Sequence, residues 1–447
     1  MKIDVNIDPK ARHSDGFSRV MVNIIDLNIQ RELDISFHEL YRRCGISDLI
    51  TLDFLLVASL CYMIDKSVPR AGTFDDWTRE LEVTIPVSNS DLWSSVASEL
   101  ARTVGFLTGD IWDFNFTSST TRLFLRPIGW RRKQPKYSLR STPNAVCLFS
   151  GGLDSLIGAI NLLAENNTNN LLLIGHYDPP GAKAAQERLF QSIWSTYQRR
   201  AIPLHIRVSH LPAAANELTF RSRSLIFIAL GLYAARRFGN DIPLYTPENG
   251  LIALNIPLTP SRAGSCSTRT MHPYFLNRLR SVLESLGITN PIINPFQLKT
   301  KGECMVACKN INLLKSIANN SVSCSHPNRR QNWIRKKNVN HCGYCIPCII
   351  RRAAMHKAGI DDGQNYGFDI CKGELKIEDS GKSANDLRAM INFINEKYNV
   401  TDLACLISQV ANIENIDKYA VFAHRGYDEI KTFFLDKCNN QFQRIIT

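Results

Sequence analysis

Ala145-Val-Cys-Leu-Phe-Ser-Gly-Gly-Leu-Asp-Ser-Leu-Ile-Gly-Ala-Ile160 is the stretch that decides the fold: an apolar run that reads as a buried strand, a turn built on two glycines, then helical periodicity through Ala164. Strand, glycine turn and helix in that order form the first unit of a βαβ fold, and such turns lie at the carboxyl edge of a parallel sheet, where α/β proteins bind ligands. Within Ser150-Gly151-Gly152-Leu153-Asp154-Ser155 the glycines allow a sharp turn and a close approach to an anion. The free N–H groups and the dipole of the helix start point at that anion, and the Ser150 and Ser155 hydroxyls can donate to it. Asp154 reads either as a Mg²⁺ ligand or as a helix cap. The ending Gly-Lys-Ser/Thr of a Walker loop is missing.

Downstream, short apolar strands alternate with helical stretches. Leu171 to Gly175, Leu204 to Val208 and Leu244 to Thr246 read as strands; Lys183 to Tyr197 and Arg223 to Arg237 read as helices. That alternation predicts a doubly wound parallel α/β sheet. After about residue 360 the pattern is helical and polar, clearest over Ser383 to Lys397 and Thr401 to Ala411. Upstream, the chain opens on polar, irregular sequence, followed by an apolar helix (Ile50 to Ile64), a strand (Leu81 to Val87) and a helix (Ser90 to Leu107). Trp112 to Phe116 and Thr121 to Leu125 alternate like the two strands of a hairpin. The basic, proline-containing stretch from Arg126 to Lys136 reads as an exposed connector. The expected organisation is an accessory α+β domain over 1–138, the loop-bearing α/β domain over 139–360 and a helical extension over 361–447.

The chain has 447 residues, 44% hydrophobic and 21% charged, which is a globular composition with room for a large core. A net charge of +12 suits a polyanionic partner: a nucleotide, a tRNA, DNA or an acidic protein surface. The N-terminus lacks the apolar region of a secretory signal, and no apolar window is long enough to span a bilayer, so the expected setting is cytoplasmic, with no membrane. In a reducing compartment the 13 cysteines are read first as metal ligands. Cys324-x17-Cys342-x2-Cys345-x2-Cys348 supplies four thiolates at a spacing that suits a closed, structural Zn²⁺ site; an iron–sulfur cluster is the alternative.

The loop resembles the SGGxDS loop of the N-type ATP pyrophosphatases. Those enzymes cleave ATP between the α- and β-phosphates and adenylate a substrate oxygen, which an amine, ammonia or sulfur nucleophile then displaces. The cysteine motif with its flanks, Ser323-Cys324, His341 to Cys348 and Arg351-Arg352-Ala353, resembles the zinc motif of the 7-cyano-7-deazaguanine synthase family. Arg223-Ser224-Leu225-Ile226-Phe227 is similar to that family's arginine-polar pair before an apolar helix, with serine where asparagine is usual. Lys301-Gly302-Glu303 and Tyr177 also match family positions, although a solvated helix start and a packed strand-end aromatic account for them equally well.

The resemblance implies an adenine nucleotide alpha hydrolase-like fold, the cofactors ATP, Mg²⁺ and structural Zn²⁺, and a carbon–nitrogen ligase acting on 7-carboxy-7-deazaguanine. It implies catalytic roles for Asp154, Lys301, Glu303 and Arg223, and ATP binding by Ser150 to Ser155 and Tyr177. Arg262, Arg269 and His272, in the segment after a core strand, are candidates for the base pocket. The enlarged chain resembles synthase-like proteins of bacterial anti-phage defence cassettes, which implies partners: a small protein, an ATPase and a TatD-like nuclease. A tRNA-modifying enzyme and a non-catalytic nucleotide-binding subunit are the other readings.

Overall fold

The computed structural model describes residues 1–446 except 128–136, 140, 166–169, 179, 214–216, 218, 260–268, 326–338 and 376–383. Arg262 lies outside the described residues, as does most of the connector and of the insert between Cys324 and Cys342.

The described strands are β1 (Lys2–Arg12), β2 (Ser18–Ile24), β3 (Ile29–Ile35), β4 (Glu80–Val87), β5 (Ile111–Ser118), β6 (Ala145–Leu148), β7 (Leu171–Tyr177), β8 (Ala201–Leu211), β9 (Leu244–Tyr245) and β10 (Ile292–Ile293). They form one sheet in the order β10-β9-β6-β7-β8-β3-β2-β1-β4-β5. The half from β10 to β8 is wholly parallel. Read from β8 to β10 its order is third, second, first, fourth, fifth, the doubly wound arrangement whose switch point falls between β6 and β9.

Residues of β6 and the adjoining Phe149 show why this half is apolar throughout. Val146 and Leu148 pack in one core with the helices Arg223–Phe238 and Pro273–Ser285. Ala145, Cys147 and Phe149 pack in another, with the helices Leu153–Ala164 and Pro180–Thr196. A strand buried on both faces leaves no polar alternation to read.

Strands β1 to β5 extend the same sheet. Strand β3 pairs antiparallel with β8, from Glu32 opposite Leu211 to Ile35 opposite Val208, and the core beneath β1 to β5 is continuous with that beneath β6 and β7. The opening residues, expected to be irregular, are a three-stranded meander: Ile3 and Val5, Val20, Val22 and Ile24, and Leu33 and Ile35 alternate inward, while the polar residues between them mask the pattern. The expected hairpin after Trp112 does not form. Strand β5 pairs parallel with β4 across the helix Ser90–Thr108, and Phe124 bridges to Phe17 instead.

The longest described helix, Ile416–Lys437, was not legible as such; it packs in one core with the helix Ile346–Lys357 and the four motif cysteines. No described helix is long and apolar enough to cross a membrane.

Candidate active site

The glycine loop leaves the carboxyl end of β6 at the switch point. Gly151 has φ +84°, a conformation that a side chain would strain, and Gly152 caps the helix Leu153–Ala164. The first helical bond runs from Leu156 N–H to Gly152 O at 3.1 Å, so the N–H groups of Leu153, Asp154 and Ser155 have no carbonyl within the helix. The Leu153 N–H reaches Ser323 Oγ at 3.4 Å; Ser150 Oγ and Ser155 Oγ lie 3.3 Å apart. This is a concave set of donors at a helix start, able to take an anion.

Asp154 is buried on the first turn of that helix. Its Oδ2 accepts from Lys301 Nζ at 2.8 Å and Asn249 Nδ2 at 2.8 Å, while Oδ1 is buried without a hydrogen-bond partner. The sequence neighbours of Lys301 explain how it is held. Thr300 and Glu303 form a capping box at the start of the helix Lys301–Val306, and Glu303 turns outward to Arg425 at 2.8 Å. Lys301 and Asp154 are thus brought together, and Glu303 is directed to the C-terminal helix.

Beneath the loop lies Gln186, which no motif flags. Its amide N–H groups donate to Ser150 O and His176 O, both at 3.3 Å, and its Oε1 lies 2.9 Å from His205 Nδ1. One fully buried side chain therefore ties the loop after β6 to β7 and β8. Gly175 makes room for it, since a Cβ there would sit 2.3 Å from Gln186 Oε1.

His176 in turn orients Arg223, whose Nε and Nη2 donate to His176 Nδ1 and O at 3.3 and 3.1 Å. With Nδ1 accepting, Nε2–H faces Val208 O at 3.2 Å, and burial pushes the imidazole pKa down to about 3, so the ring is neutral. Tyr177 ends β7, half-buried, with Lys183 Nζ 5.4 Å from its ring centroid. The N-terminal half also reaches this edge: Tyr62 packs edge-on against His176, and Lys66 pairs with Asp178.

Between the loop and the Arg223–Phe238 helix is a cavity of about 230 Å³, walled by Ser150, Ser155, Phe220, Arg223, Phe227 and Glu248 among others. Glu248 accepts from Thr270 Oγ1 at 2.6 Å, and burial, reinforced by the Asp154 charge, pushes its carboxyl up to about 7. The candidates Arg269 and His272 lie elsewhere. Arg269 donates to Phe106 O at 3.0 Å and stacks on that ring, and His272 caps the helix Pro273–Ser285. Their neighbours Thr270 and Met271 are the ones that line the cavity.

The sulfurs of Cys324, Cys342, Cys345 and Cys348 all lie within 4.8 Å of one another and are buried. Two of the spacings, Cys324 to Cys345 at 3.9 Å and Cys342 to Cys348 at 3.8 Å, match the edge of about 3.8 Å that a tetrahedron of Zn–S bonds of about 2.3 Å requires. The cluster can hold a metal, and with four protein ligands it leaves no open position. It is joined to the loop, because Val322 N–H, two residues before Cys324, donates to Gly151 O at 2.8 Å.

No family model and no solved structure matches the chain. Over 251 residues the chain is 26% identical to the 7-cyano-7-deazaguanine synthase of Novosphingobium aromaticivorans, an alignment that takes in 50% of this chain and 95% of that protein.

Proposed function

We propose that this protein is an ATP-dependent ligase that adenylates the carboxylate of a 7-deazaguanine acid, 7-carboxy-7-deazaguanine, and releases AMP and pyrophosphate. The observation that carries this reading is the Ser150 to Ser155 loop at the switch point, with Asp154 held by Lys301 beside a cavity of base size. The similarity to a synthase named for a deazaguanine product supports the choice of substrate.

In this reading the free N–H groups of Asp154 and Ser155 and the two serine hydroxyls bind the phosphates, and Tyr177 lies on the adenine side. Lys301 neutralises Asp154 and offers its charge to the leaving pyrophosphate. The unpartnered Asp154 Oδ1 fits a Mg²⁺ ligand, and Mg²⁺ when bound supplies charge neutralisation for the polyphosphate. Arg223, fixed by His176, takes the substrate carboxylate. A carboxylate oxygen attacks the α-phosphorus and the α–β bond breaks; an amine then attacks the acyl carbon, loses a proton and expels AMP. Glu303 serves the site by anchoring the helix that carries Lys301, and Arg269 and His272 by fixing the segment that carries Thr270. The cysteines would hold structural Zn²⁺ and so keep the segment that carries Val322 against Gly151.

The acceptor is ammonia or an amine of a partner protein; the half of the chain outside the alignment, and the resemblance to defence-cassette proteins, support the second. Product analysis tests the reading: with ATP and the acid, AMP and pyrophosphate should accumulate together, and formation of ADP and phosphate instead overturns it.

A further inference from the structure

The cavity wall carries an acidic side chain that phosphate binding does not explain. Glu248 follows β9 on the far side of the switch point, and its backbone is clamped by Asn294, whose Oδ1 accepts from Glu248 N–H at 3.3 Å and whose Nδ2 donates to Glu248 O at 2.9 Å. Thr270 fixes one carboxyl oxygen at 2.6 Å. A rigid carboxylate facing a cavity is an acceptor only, so its ligand must bring donors. Beside it Ser224 Oγ is buried without a hydrogen-bond partner, and Phe220 and Phe227 supply flat apolar walls.

We infer that Glu248 is the specificity-determining residue of this cavity, reading the paired N–H donors of a guanine-type base edge, the ring N–H and the exocyclic amine. Two parallel donors match a carboxylate as a fork, which a base lacking the amine cannot do. Phe220 and Phe227, which also hold the Arg223 guanidinium over their rings, supply apolar surface to the base, and Ser224 and Arg223 remain to serve the base oxygen and the carboxylate to be activated. Burial has already raised the Glu248 carboxyl, as expected of an acceptor that is desolvated before its ligand arrives. A site built for a donor discriminates strongly against the analogue without it, because the buried carboxylate is then left unpaired.

This inference rests on the ligase reading and deepens it. The test compares AMP release by the full-length protein with 7-carboxy-7-deazaguanine and with the otherwise identical acid lacking the exocyclic amine. The expected result is a preference of roughly 10- to 100-fold in kcat/KM for the amino form, carried mainly by KM and reduced to a few-fold in Glu248→Gln. Thr270→Val, which leaves the carboxylate in place, should weaken but keep the preference, so the wild-type comparison and this milder variant carry the test even where Glu248→Gln folds poorly. Turnover of both acids at equal kcat/KM, or an undiminished preference in a folded Glu248→Gln protein, overturns the role of Glu248 and leaves the ligase reading standing. Turnover of neither acid overturns both.

Discussion

Lys301 Nζ lies 2.8 Å from Asp154 Oδ2, and the two buried groups bring the turn after the last core strand onto the first turn of the loop helix. Removing one member of a buried pair strands the other, at a cost of about 3–5 kcal/mol. Lys301→Ala should therefore lower both stability and turnover, the latter by about 10²–10³-fold as expected for a lost charge at a transferring phosphoryl group. The double variant Asp154→Ala/Lys301→Ala should recover part of the melting temperature and none of the activity. Recovery of activity alongside stability would show that the pair is only structural.

The cysteine cluster predicts a metal effect on ATP affinity. One equivalent of zinc should be released on denaturation, detected with a chromogenic chelator. Stripping it, or Cys324→Ser, should raise KM for ATP, because Val322 loses its register against Gly151. An unchanged KM in a folded metal-free protein would sever that link.

Gln186→Leu keeps shape and removes the bonds to Ser150 O, His176 O and His205. His176 O keeps its bond from Arg223 Nη2, so the loss falls on Ser150 O and His205 Nδ1, and an unsatisfied buried polar group costs about 1–3 kcal/mol. The expected outcome is a lower melting temperature together with weaker ATP binding by calorimetry; a loss of stability with ATP affinity intact would confine Gln186 to the core.

The raised Glu248 carboxyl sets a pH signature. Between its ordinary value of 4.5 and about 7 the unliganded protein holds a proton there, which a base with N–H donors must displace. Affinity for the deazaguanine acid should rise as pH increases to about 7 and level off above; the Asp154 charge raises the carboxyl, Lys301 lowers it, and Arg223 lines the same cavity. Stability runs the other way: the contribution of protonated Glu248 is complete below pH 4.5 and lost as pH rises through 7. Glu248→Gln should thus flatten the binding profile and be the more stable protein at pH 8, as thermal melts across pH 5 to 8 would show.

Much of the fold was legible because its signals are local. The helix Leu153–Ala164 is legible in the sequence, since the glycine turn marks its start. The N-terminal meander is hidden in the sequence because Ile3, Val5 and Val20 alternate among charged residues on strands covered on one face only. The four cysteines and the loop are contiguous motifs and could be read directly. Gln186, Glu248 and Asn249 could not, because their roles depend on strand ends meeting at the switch point. Glu303 shows the converse: two positions from Lys301, it faces Arg425 because the capping box sets the helix start.

The central claim, that a carboxylate oxygen of the substrate is adenylated, has a direct test in isotope transfer. With 7-carboxy-7-deazaguanine labelled with ¹⁸O in its carboxylate, mass spectrometry should find one labelled oxygen in the AMP phosphate after amine displacement. Unlabelled AMP, or ADP as the product, would contradict the account.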